Sequence, residues 1–213
     1  MMNQIKIVTD SAAHLSAADI RAYEIHVLNP PILMDGKLFG YVNKISSEKY
    51  LQLFEQCSNK PQIGDITVDE LTQKYDALGE DGSQILSIHL SDKLSNTYHN
   101  AKIAAGKSAS QVTVVNSQVT AAGLSYQVIE AAKLSAGGKS IQEILKQMEK
   151  IRDNTRIFFS VRNNQQIVNN RIIGKLRGFL GKHVNTAYMI KFGHNDFDLV
   201  AHGSKDESLN CLL

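Results

Sequence analysis

Short apolar runs alternate along the chain with longer stretches whose apolar positions recur at helical spacing. Such alternation predicts an α/β fold, a mostly parallel sheet flanked by helices. Residues 5–8 predict a first strand that closes on Thr9, Asp10 and Ser11. Ser16 predicts the cap of a helix reaching Tyr23, with Asp19 in the position of the capping-box acid. Residues 25–34 read as a second strand, and Pro30 and Pro31 at its middle make that stretch an edge or a bend. Asp35 and Gly36 form a hairpin-turn pair leading into a strand over 38–42. Residues 47–57 set Tyr50, Leu51, Phe54 and Cys57 at helical spacing. Thr67 caps a further helix, with Glu70 as its acid and Leu71, Tyr75 and Leu78 facing inward.

The second half continues the alternation. A buried strand over 85–90 runs into a polar loop over 91–96, a helix over 97–108 and a short strand over 112–115. Helices over 119–135 and 140–152 are separated by Gly137 and Gly138, which tolerate the left-handed backbone that stops a helix. Residues 157–161 read as the last strand of this unit, so that residues 1–161 form an α/β domain. Residues 162–170 are rich in Asn and Gln and read as a linker. Beyond them come a basic amphipathic helix over 172–180 and two strands, 188–192 and 197–201, joined through Gly193, His194, Asn195 and Asp196. Residues 162–213 therefore read as a linker and an incomplete second domain, too small to bury a core by itself.

Composition narrows the function classes. The 213 residues are 43% hydrophobic and 21% charged, with a formal net charge of +2, a balance that speaks against nucleic acid as the main partner. No apolar run is long enough to span a bilayer, so no transmembrane segment is expected. The start of the chain lacks a secretory pattern, and its two cysteines, Cys57 and Cys211, fit no metal spacing. A cytoplasmic setting is the expectation.

Candidate chemistry is sparse. Neither a glycine-rich phosphate loop nor a nucleophile elbow nor a clear triad is present, and no cofactor or metal is implied. Asp10 and Ser11 after the first strand either satisfy loop amides or serve an enzyme acting on a small phosphorylated substrate. His89 lies within an apolar run and reads as a satisfied core histidine rather than a base. The loop over 91–96 is more informative. It follows a central strand and opens a helix, where open α/β sheets collect ligands. Ser95, Asn96 and Thr97 either present donors to an anion there or simply cap the helix.

Several segments together resemble the DegV family. Residues 6–12 (KIVTDSA) are similar to its opening, and SIHLS over 87–91 with LSNTY over 94–98 is similar to its S-I-H-I-S-x-x-L-S-G-T-Y loop. Val115, Asn116 and Ser117 stand at its V-D-S, and residues 169–172 (NNRI) at its G-G-R-I or N-G-R-I turn. The likeness is collinear over nearly the whole chain. It implies two α/β domains enclosing a long-chain fatty acid, held non-covalently and delivered to a bacterial fatty acid kinase, with no catalytic residue in the carrier.

The resemblance also implies site residues. Ser95 stands at the serine that hydrogen-bonds the acid's carboxylate, and Asn96 at the neighbouring glycine. Ile63 replaces the threonine that makes the second carboxylate contact, Gly64 replaces the serine after it, and Asp65 adds a repelling charge. Arg171 stands at an arginine near the tunnel entrance, in a loop one residue short, or is a solvated arginine at a helix start. The resemblance places residues 188–201 on the first hairpin of the second domain, so the chain is expected to stop inside that domain. On the other reading, His202 is the family's late histidine after a large deletion. Fatty-acid binding and presentation to a fatty acid kinase, impaired by truncation, is the leading expectation; the Asp10 enzyme and a non-binding remnant are the alternatives.

Overall fold

A computed structural model describes residues 5–57, 60–161 and 187–203. Strand β1 (Ile5–Asp10) leads through a 3-10 turn at Ser11–Ala13 into helix α1 (Ala17–Ala22) and strand β2 (His26–Leu28). Strands β3 (Pro31–Met34) and β4 (Lys37–Tyr41), helix α2 (Ser47–Gln56) and the short β5 (Gln62–Ile63) follow. The chain continues through α3 (Val68–Gly79), β6 (Gln84–His89), α4 (Thr97–Lys107), β7 (Val112–Asn116), α5 (Ala121–Ala136), α6 (Ile141–Asn154) and β8 (Ile157–Val161). Strands β9 (Ala187–Gly193) and β10 (Asp196–Gly203) close the described part.

The expected parallel sheet is present, with strand order β2-β1-β6-β7 and every pairing parallel. Alternation along its strands sends side chains to two separate cores. On one face Ile7, Leu86 and Ile88 pack with Leu124, Val128, Ile144 and Met148 from α5 and α6. On the other, Val8 and Ile85 pack with Leu71 and Tyr75 from α3 and Ala101 and Ala104 from α4. Local signals behave as expected. Ser16 accepts from the Asp19 N–H at 3.0 Å. Thr67 and Glu70 form a reciprocal capping box, and Leu71, Tyr75 and Leu78 are the buried face of α3. Asp35 and Gly36 take φ of 51° and 72°, the left-handed pair that a tight hairpin requires.

Two expectations are corrected. Residues 25–34 are two strands: β2 pairs with β1, whereas β3 belongs to a separate antiparallel sheet of order β4-β3-β5. Pro30 and Pro31 lack the N–H groups a continuous ladder needs, and the chain changes sheets there. Strand β8 likewise leaves the first sheet and pairs antiparallel with β9 in a third sheet of order β10-β9-β8. The β9–β10 hairpin itself forms as the apolar pattern predicts, turning at His194 and Asn195 with φ of 51° and 60°. The predicted linker at 162–170 and helix at 172–180 lie outside the described residues.

Tyr75 makes one consequence of this packing measurable. Burial pushes its phenol up from 10.0 to about 12, partly offset by its hydrogen bond to Ser87. As pH rises past 10.0 the unfolded chain loses this proton first, so the contribution present below that pH is lost on the way to about 12. Denaturant titrations across this range should show stability falling by on the order of 2–3 kcal/mol from this group. Tyr75→Phe should flatten the fall.

Candidate functional site

The carboxyl ends of β1 and β6 lie side by side and are tied by one buried carboxylate. Asp10, 2% exposed, accepts from the N–H groups of Ala12 and Leu90, both at 3.1 Å, and contacts His89 Nδ1 at 3.1 Å. His89 Nε2 lies 2.8 Å from the Ser87 hydroxyl, to which the Tyr75 hydroxyl donates at 2.8 Å. With Tyr75 donating to Ser87, the Ser87 proton is free for His89 Nε2, and Nδ1 donates to Asp10. Ser87, His89 and Asp10 carry the residue types of a catalytic triad, but Ser87 and His89 are fully buried and every hydroxyl is engaged. Their role is to fix where the two strands end. Asp10 has no face open to a phosphorylated substrate, which removes the support for the enzyme reading there.

The loop over 91–96 starts from this fixed point and is held again at two places. The Ser91 hydroxyl donates to Asn195 Oδ1, and Asn195 Nδ2 donates to Asp92 Oδ1 at 2.8 Å, so the tip of the β9–β10 hairpin is hydrogen-bonded to the loop. Leu94 packs against Tyr188, Ile190, Phe192 and Phe197. Burial alone would raise the Asp92 carboxyl, but hydrogen bonds from Asn195 and Asn116, with Lys93 and His99 nearby, hold it below its ordinary value.

The next residue carries the candidate site. The Ser95 hydroxyl donates to Asp65 Oδ1 at 2.7 Å, and the Asn96 N–H donates to the same oxygen at 2.8 Å. Asn96 Nδ2 donates to Asp65 Oδ2 at 3.0 Å. Thr97 completes the array: its N–H donates to Ser95 Oγ at 3.0 Å, while its own hydroxyl accepts from the Ile66 N–H at 3.2 Å. Ser95, Asn96 and Asp65 are all half-buried. The charge expected to repel a ligand is thus itself the acceptor for the loop's donors. Helix α4 gains its start from the arrangement, since the Asn96 side chain makes no cap bond within the helix.

The other expected residues fall as follows. Ile63 lies on β5 opposite Ile32 and is 57% exposed. Gly64 donates its N–H to the Pro31 carbonyl at 2.8 Å, and a Cβ there would come within 3.1 Å of Leu33 Cδ1 and Pro31 Cγ. Ile63 and Gly64 therefore adjoin Asp65 in sequence, on the segment facing Ser95. Arg171 lies outside the described residues, as does the His202 side chain. A separate cleft of about 890 Å³ opens at the other end of the parallel sheet, by Ile5, Ile25 and Gly138. Its lysines, Lys6 and Lys139, are paired with Asp81 at 2.7 Å and Glu143 at 2.9 Å, and none of the expected residues borders it.

A parallel sheet with helices on both faces and a small antiparallel sheet, β10-β9-β8, docked on the loop after β6 define the α/β architecture. The same fold occurs in solved structures: DegV, a fatty acid binding protein from Bacillus subtilis (TM-score 0.88, 18% identity, 99% of this chain and 76% of that one), and a fatty-acid-binding DegV family protein from Thermus thermophilus (0.86, 23%, 98% and 76%). The family model described as "Uncharacterised protein, DegV family" matches residues 4–207, and the chain belongs to the DegV family. A DegV domain-containing protein of Listeria innocua is 31% identical over 191 residues, covering 89% of this chain and 68% of its own length. A second, from Streptococcus pneumoniae, is 29% identical over 202 residues, or 95% and 72%.

The hairpin clamp can be tested directly. Asn195→Ala removes both hydrogen bonds to the loop and leaves Asp92 without one donor. It should cost about 1–3 kcal/mol in urea denaturation. Hydrogen exchange should then show β9 and β10 losing protection before β1 and β6.

Proposed function

We propose that this chain binds a long-chain fatty acid non-covalently and presents it to a fatty acid kinase, acting as a carrier without a catalytic group of its own. Membership of the family supports this reading, as do the fatty-acid-binding proteins that share its fold. One observation carries it: the Ser95 hydroxyl and the Asn96 N–H converge on one oxygen of the chain's own Asp65 carboxylate, at 2.7 and 2.8 Å, so the pair has the geometry that binds a carboxylate. Donors so arranged are chemically matched to a fatty acid's head. In this reading Ser95 and Asn96 hold the head group and Ile63 and Gly64 border it, while Arg171 keeps the role that the resemblance implies.

The tail supplies most of the affinity. Each buried methylene contributes about 0.8 kcal/mol, so a long chain gains several times what one hydrogen bond adds, less the cost of ordering it. The head-group donors therefore select and orient more than they hold. Native mass spectrometry of the protein purified from bacteria should reveal co-bound long-chain acids. Recovery of ligand-free protein alone, even after lipid addition, would exclude the carrier reading. Ser95→Ala should weaken binding of such an acid by about 1–2 kcal/mol, the worth of one charge-assisted hydrogen bond. Unchanged affinity would leave Ser95 as a helix cap only.

A further inference from the structure

The Asp10 carboxylate reaches beyond the strands it joins. The register between β1 and β6 runs from Ile5–Gln84 to Thr9–Ile88, and β6 ends at His89. Asp10 carries the tie past that point: its Oδ2 accepts the N–H of Leu90, the first residue outside the strand, at 3.1 Å. Ser91, which follows, is fully buried and passes the constraint on. Its N–H donates to the Val119 carbonyl at 3.1 Å, and its own carbonyl accepts the N–H groups of Leu94 at 2.9 Å and Ser95 at 3.2 Å. A hydrogen bond, the Leu90–Ser91 peptide link and a second hydrogen bond thus connect the Asp10 carboxylate with the backbone of Ser95. An apolar pair of similar volume often holds a core as well as a buried charge does, or better. What the carboxylate adds is direction. The N–H groups of Ala12 and Leu90 and the His89 ring converge on its two oxygens, and Ser87 and Tyr75 hold that ring from its other side.

We propose that Asp10 is a positioning residue for acyl binding: it acts through Leu90 and Ser91 to set the backbone that carries the Ser95 hydroxyl. The inference rests on the acyl-binding reading above and deepens it. A donor that selects a head group must be held in one direction by the residues behind it, and the buried path from Asp10 supplies that hold. Asp10 has a second, local task, since its Oδ1 accepts the Ala12 N–H two residues on, at 3.1 Å. A serine at this position separates the two. Its hydroxyl can close the same short turn onto the Ala12 N–H, but it is one bond shorter than the carboxylate and has no second oxygen for Leu90 and His89.

The test is a double-mutant cycle read by calorimetric titration of palmitate into delipidated wild-type protein, Asp10→Ser, Ser95→Ala and the double variant. With Ser95 in place, Asp10→Ser should weaken palmitate binding about fivefold or more, the scale of one hydrogen bond. In the Ser95→Ala background the same change should cost less than about twofold, because the donor that Asp10 directs is gone. A merely structural role lowers affinity by the same factor in both backgrounds. Asp10→Ala, which also removes the turn bond, should show the same coupling to Ser95; if it fails to fold by circular dichroism, Asp10→Ser decides the matter. An equal loss in both backgrounds, or no loss in either, overturns the positioning role of Asp10 while leaving acyl binding intact. Palmitate binding to none of the proteins overturns both.

Discussion

The buried carboxylate of Asp10 is the constraint on which the candidate site depends. A charge taken out of water costs several kcal/mol unless its acceptors are filled. Asp10 meets this demand with two backbone N–H groups and His89, drawn from the turn after β1 and from the end of β6. The last residues of two adjacent parallel strands are thereby locked together, and the loop over 91–96 leaves the sheet from a fixed point. Tyr75 and Ser87 extend the same chain of hydrogen bonds into the α3 face, so the packing of that core and the position of the loop are one problem.

From that anchor, the loop is shaped by contacts with segments distant in sequence. The β9–β10 hairpin reaches it through Asn195, Leu94 seats in the aromatic cluster of the third sheet, and Asp65 gathers Ser95 and Asn96. Each contact works on a different residue of the loop. Together they leave its backbone little freedom, which is what a site needs to present donors in fixed directions. Asn195 suits its place for two reasons: it tolerates the left-handed backbone at the tip of the hairpin, and its amide carries both the acceptor and the donor that Ser91 and Asp92 require.

Elements whose signals are local could be read from the sequence. Caps at Ser16 and Thr67, the turn at Asp35 and Gly36, and the helical face of Leu71, Tyr75 and Leu78 all depend on residues a few positions apart. His89 also reads correctly as a satisfied core histidine, because an apolar run around a polar residue implies burial with partners. What the sequence hides is pairing at long range. Residues 157–161 are the same short apolar run whichever sheet they join, so their place beside β9 could not be read. The crossing at Pro30 and Pro31 looks like a bend within one strand until β3 finds β4 and β5. Asp65 and Ser95 lie thirty positions apart, and a lone acid near an anion site reads as repulsion unless the geometry shows it accepting. The partners of Asp10, His89 and Leu90, are about eighty positions away.

Two carboxylates, Asp10 and Asp65, thus hold one loop system from its two ends. Asp10 is sealed, and its acceptors face only the protein; it contributes rigidity. Asp65 is half-buried and gathers the Ser95 hydroxyl and both Asn96 donors; it contributes the shape of the loop. This division follows from energetics. At about 0.8 kcal/mol per methylene, the tail of any long acyl ligand outweighs a single polar contact at its head. A like charge or an unmatched donor at the head shifts the balance between ligands of equal length by a few kcal/mol, which is enough to decide which of them is held.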